Sequence, residues 1–279
     1  MDPAIRALGG FADLRSREPF FFVAIGPEIR YQKRMVKGSP ALNENTFRSL
    51  AAPAGNVMTA NGAMVKTIAL LILTIVTAAI AWNMAATGSI TNIKPILIGT
   101  GIGGLIIAVL TVFKPHLSPL TGPLYAVVKG AFVGLISMMF ENFYNGIVMQ
   151  AISLTLGIAI LMAALYIMRI IRPTAKFKSI VISATGGIFL LYIATFLLGL
   201  FGIDIPYIHG SGLIGIGFSL FVVVIASLNL IIDFEMIEVG AQQSAPKYME
   251  WYCGFSILVT IIWLYIEVLR LLAKLADRD

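Results

Sequence analysis

The chain has 279 residues and a formal charge of +6, and it is 58% hydrophobic but only 12% charged, whereas a soluble domain is about 45–50% apolar and about 25% charged. So much apolar surface cannot hide in one water-soluble core, which excludes an ordinary soluble protein and leaves the bilayer as solvent. The single cysteine, Cys253, excludes an internal disulfide framework and cysteine-rich zinc sites, and two histidines, His116 and His209, leave little material for metal or triad chemistry.

Residues 1–63 are polar and mixed, with Arg15, Arg17, Arg30, Lys33, Arg34 and Lys37 among them. The apolar stretch Pro19-Phe20-Phe21-Phe22-Val23-Ala24-Ile25 is too short to span a bilayer. It is not a signal peptide either, because it lacks a small-residue cleavage pattern. The segment is expected to be flexible and cytoplasmic. Met35 heads a second candidate start, so residues 1–34 are expected to be a dispensable upstream extension.

Residues 64–279 read as one transmembrane domain. A spanning helix needs about 20 mostly apolar residues. Seven segments meet that requirement: 65–86, 95–113, 123–140, 146–168, 179–202, 212–234 and 254–275. Short loops carrying breakers such as Lys114-Pro115-His116 and Arg172-Pro173-Thr174 make neighbouring helices antiparallel and adjacent. The expected fold is an all-α, seven-helix membrane bundle. Gly99 and Gly103 in the second span, and Gly130 and Gly134 in the third, stand four apart, the spacing that lets helix backbones approach.

Basic residues set the orientation. With the N-terminus inside, the cytoplasmic side holds eight: Arg48, Lys66, Lys114, Arg169, Arg172, Lys176, Lys178 and Lys247. The other side holds four: Lys94, Arg270, Lys274 and Arg278. The excess predicts N-in and C-out. It also explains the positive charge by loops facing the cytoplasm and anionic lipid, with no nucleic-acid partner.

Charges inside a span cost at least about 2.5–3.5 kcal/mol and ask for a reason. Three stand out: Lys129 in the third span, Asp233 in the sixth and Glu267 in the seventh. Asn229 lies one turn before Asp233 and shares its face, although Glu235 and Glu238 beyond it also allow Asp233 to be a helix-end marker. Thr260, Trp263, Glu267, Arg270 and Lys274 form one stripe, within which Glu267 and Arg270 suit a local ion pair. Carboxylates from neighbouring antiparallel helices can share a proton or offer oxygen ligands to calcium. Asp233 and Glu267 are therefore expected to meet, as a pH-sensitive cation gate. Lys129 either snorkels toward the loop or pairs with a carboxylate, and Lys114 is a further candidate partner for Asp233. Enzyme readings fare badly. Gly210-Ser211-Gly212 resembles the serine turn of rhomboid proteases only superficially, since His209 precedes it and no span carries a histidine base. A retinal protein would need a lysine deep in the last span, where this chain has Glu267.

From Pro40 onward the chain resembles the Bax inhibitor-1 / YccA family, in its larger bacterial branch. The resemblance rests on Leu228-Asn229-Leu230-Ile231-Ile232-Asp233-Phe234, on Met249-Glu250-Trp251-Tyr252 followed by Trp263-Leu264-Tyr265-Ile266-Glu267-Val268-Leu269-Arg270, on Tyr125-Ala126-Val127-Val128-Lys129-Gly130, and on Ser39-Pro40-Ala41-Leu42-Asn43. It implies a seven-helix fold in the inner membrane and a pH-dependent calcium leak without a resident cofactor. An acidic pair on helices six and seven would close the pore. Asp233 matches the first of that pair, and Glu267 stands where the family has aspartate. Lys114 is the nearest match to a basic partner of Asp233. Some bacterial relatives are linked instead to a membrane protease, which implies a non-transporting modulator of that protease or of a stress response.

Overall fold

The computed structural model describes residues 56–90, 92–201, 210 and 212–278. Residues 1–55, and with them most of the expected N-terminal segment and the Met35 start, lie outside the described residues.

Seven helices among the described residues are long and apolar enough to cross a membrane. They are α1 (Ala60–Ala86), α2 (Ile93–Phe113), α3 (Ser118–Phe143), α4 (Ile147–Ile167), α5 (Ala175–Leu200), α6 (Leu213–Gln242) and α7 (Met249–Ala276). A 3-10 turn, Pro115–Leu117, links α2 to α3 where the Lys114-Pro115-His116 breaker stands. In lipid every backbone polar group must be satisfied internally, which is why apolar runs of this length become helices. Thr59 and Thr174 cap α1 and α5, each hydroxyl accepting a backbone N–H of the first turn. The α3–α4 turn closes on Glu141, whose carboxylate accepts from the N–H groups of Gly146 (2.6 Å) and Val148 (3.1 Å).

The last two helices outrun their apolar windows. The expected sixth span stops at 234, but α6 continues to Gln242. The expected seventh begins at 254, but α7 starts at Met249. Hydropathy finds the stretch that sits in hydrocarbon, whereas a helix extends as far as its polar turns find partners. On α6 those partners are basic: Lys178 pairs with Glu235 at 2.8 Å and Arg169 with Glu238 at 3.3 Å. Asp233 is therefore no helix-end marker. The boundary drawn at 63/64 also falls inside a helix, since α1 begins at Ala60. Just before it, Val57 bridges to Pro246 and the Met58 N–H donates to Ala245 O at 2.7 Å, fastening the entry to α1 onto the α6–α7 loop.

Helix α7 is the hub, packing against α1, α3, α4 and α6, while α2 leans on α3 and α5 on α6. The expected packing of each helix on its neighbour in sequence therefore fails for α1–α2 and α4–α5, because a short loop joins helix ends without fixing which faces meet. The burial follows: 61% of the most apolar stretch of α7 is buried, against 11% for α2. Of the two glycine pairs, one is a helix contact. A Cβ on Gly130 would lie 2.6 Å from Thr74 O, and one on Gly134 would lie 2.2 Å from Ala78 O, so α3 rides directly on the backbone of α1. Among the described residues nothing lies close to Gly99, and Gly103 makes only an ordinary contact with Val128.

Candidate functional site: two separate buried carboxylates

Asp233 is 7% exposed and faces α7. Its Oδ1 accepts from the Ser256 hydroxyl at 2.9 Å and its Oδ2 from the Thr260 hydroxyl at 2.6 Å. Ser256 and Thr260 stand one turn apart on α7, so two donors converge on one carboxylate. Both partners are neutral. Among the described residues Asp233 makes no ion pair, so its ionised form would rest on two hydroxyls in a site walled by apolar helices. Asn229, one turn back, turns away toward α5 and donates to Thr185 Oγ1 at 2.8 Å.

Glu267 is 1% exposed and belongs to a different group. Its Oε2 accepts from Tyr192 OH of α5 and from an Arg270 guanidinium nitrogen, both at 2.8 Å. Arg270 also donates to the Tyr192 oxygen at 2.9 Å, closing a triangle of acid, phenol and guanidinium. The expected Glu267–Arg270 pair is thus present. The other Glu267 oxygen, Oε1, is buried and has no hydrogen-bond partner among the described residues. One turn beyond Arg270, Lys274 donates to Gly215 O and Ser219 Oγ, each at 3.0 Å, and ties the end of α7 to the start of α6.

The expected meeting of Asp233 with Glu267 does not occur. Asp233 is held level with residues 256–260 of α7, and Glu267 lies seven residues beyond Thr260, roughly 10 Å further along the helix at 1.5 Å per residue. Adjacent antiparallel helices guarantee contact somewhere but leave its depth open. The two carboxylates therefore cannot share a proton or one calcium ion. Among the described residues no three acidic, histidine or cysteine side chains gather as a metal site.

The expected basic partners also sort themselves. Lys114 is exposed at the end of α2, a helix that packs on α3 rather than α6, and it does not pair with Asp233. Lys129 lays its stem across α2, where a Cβ on Gly104 would come within 2.4 Å of Cε. Its ammonium stands 4.7 Å from the Phe132 ring centroid. It meets neither carboxylate.

Sequence reasoning missed a third buried acid. Glu250 is 3% exposed, and its Oε1 accepts from the Thr59 N–H at 3.0 Å and the Thr59 hydroxyl at 3.2 Å. Its carboxylate thus sits at the N-terminus of α1, where the helix dipole and free N–H groups favour an anion. Gly62 makes room, since a Cβ there would lie 2.0 Å from Oε1. Glu250 falls in the gap between the expected sixth and seventh spans, so no argument about charges in membranes reached it.

Residues 34–277 match a family model described as Bax inhibitor 1 like. No curated protein matches the chain.

Proposed function

The chain belongs to the Bax inhibitor 1 like family, and from that premise we propose that this multi-pass membrane protein is a pH-sensitive calcium leak, governed at Asp233 rather than by a carboxylate pair. The supporting observation is the pair of hydroxyl bonds from Ser256 and Thr260 to a buried carboxylate that makes no ion pair among the described residues. They join α6 to α7 at one point. A proton or a calcium ion arriving at that carboxylate competes for the same oxygens, and either changes how firmly the two helices are held. Glu267 acts separately, its charge balanced by Arg270. In proteoliposomes loaded with a calcium dye, the purified full chain should admit calcium at a rate that varies across a pH series. Absence of entry at every pH would sink the channel reading and favour the non-transporting modulator of a membrane protease or stress response.

The orientation belongs to the same proposal: N-terminus in the cytoplasm, C-terminus outside, in the inner membrane. Arg169 and Lys178 pair with acids of α6, but the positive-inside bias acts on the chain as it inserts, before those pairs form. A cytoplasmic reporter fused after Lys178 should be active, and one fused at Asp279 should be silent. Cytoplasmic activity at Asp279 would refute N-in, C-out.

A further inference from the structure

Between α1, α3, α4 and α7 lies a crevice of about 460 Å³. Its rims are α1 and α4, which do not pack on each other along their length; α3 and α7 form the floor. The α1 rim carries Ile75, Ala79 and Trp82, and the α4 rim carries Ile152 and Leu156. Ile75 is 65% exposed and Leu156 52%, so the mouth opens sideways, where a membrane helix meets hydrocarbon.

The hydroxyl groups of the lining are already satisfied. Thr74 donates to Leu70 O and Thr155 to Ala151 O, each within its own helix. On the floor Ser137 and Tyr265 bond each other at 2.6 Å. A water molecule needs two to four polar partners, and apolar cavities of this kind stay dry. A void of this size would forfeit dispersion contacts along all four helices. The volume lies within the range of ligand sites, about 300–1,000 Å³. Trp82 stands near the end of α1, half-buried at the level where an indole suits the boundary between hydrocarbon and headgroups.

We propose that this crevice holds an acyl chain of a bilayer phospholipid, taken up laterally between α1 and α4 from the leaflet at the α3–α4 loop. The chain would pack against Leu258, Ile262 and Tyr265 of α7, the helix that also carries Ser256, Thr260 and Glu267. No headgroup recognition is required, because the site is defined by hydrocarbon alone.

Tyr265 makes the proposal testable, because it is 7% exposed and beyond reach of lipid that stays outside the bundle. Full-length protein is reconstituted with phosphatidylethanolamine bearing a diazirine midway along one acyl chain, irradiated, and mapped by peptide mass spectrometry. Adducts are expected on Tyr265 as well as on outward positions such as Ile160. Ala79→Trp and Ile152→Trp, each placing a bulky group on a rim, should cut the Tyr265 adduct to background while Ile160 labels as before. Two rims are used so that one misfolded variant does not decide the matter. Labelling of Ile160 without Tyr265 overturns the proposal, and so does a Tyr265 adduct that neither folded rim variant diminishes. Tyr265 adducts from a diazirine fatty acid but not from the phospholipid overturn the assigned source.

Discussion

Asp233→Asn should flatten the pH response of calcium entry and change its basal rate by about tenfold or more. An ionised group in a span costs about 2.5–3.5 kcal/mol at its centre and less toward its ends, where Asp233 stands, and about 1.4 kcal/mol already shifts an equilibrium tenfold. Asparagine keeps the shape, so the seam between α6 and α7 should still close. The Ser256 and Thr260 hydroxyls can turn to accept from its amide, and Thr260 already has a second acceptor in Ser256 O at 3.2 Å. What is lost is the ability to exchange a proton or hold a cation. Glu267→Gln should act differently: it leaves Arg270 uncompensated beside Tyr192, which argues for weakened packing of α5 and α7 before any effect on pH. The double variant separates the two. Groups more than about 7–10 Å apart with no shared partner act additively, and Asp233 and Glu267 have none in common. The flux changes of the single variants should therefore multiply. A double variant no worse than the stronger single one would mean that the two carboxylates work as one gate after all, despite their separation in depth.

Gly134→Val should leave little folded protein. The obstacle is backbone: even a lone Cβ at Gly134 would lie 2.2 Å from Ala78 O and 2.9 Å from Ala78 Cα. No rotamer change relieves that contact, so α1 and α3 must separate. Ordinary overpacking of a core costs about 1–3 kcal/mol. Here the loss should exceed that, because α1–α3 is a long interface and membrane helices hold together chiefly by close packing. Gly134→Ala should already lower the melting temperature in detergent. Gly99→Ala is the matched control: no described residue lies within 4 Å of its Cβ, and alanine is favoured over glycine in a helix by about 0.5–1 kcal/mol. Monodisperse material on size exclusion after a temperature ramp measures both. Equal stability for Gly134→Ala and Gly99→Ala would contradict the packing described for α1 and α3.

Readable from the residues alone were the seven spans and the contacts set by spacing within one helix, but not the adjacency of successive helices, since short loops join α1 to α2 and α4 to α5 without packing either pair together. Glu267 with Arg270 is such an intrahelical contact. Helical periodicity alone puts them on one face, whatever else the chain does. Gly130 and Gly134 were legible as a close-packing surface, since four-residue spacing of small residues is itself the signal. Tertiary structure alone decided which helix each face meets and at what depth. In a soluble protein, polarity marks the outside and fixes a helix's rotation. Here Ile98 and Leu105 of α2 face outward and are as apolar as the wholly buried Leu230 and Leu258, so hydropathy carries almost no information about rotation. Gly99 and Gly130 look alike in the sequence for the same reason. Axial register is equally hidden: the α6–α7 loop brings two helices side by side, but the alignment of Asp233 with Ser256 and Thr260 follows from side chains interlocking along the whole seam. Glu250 needed the fold most of all, because its partner, Thr59, lies 191 residues away and is brought to it only when α1 docks against α7.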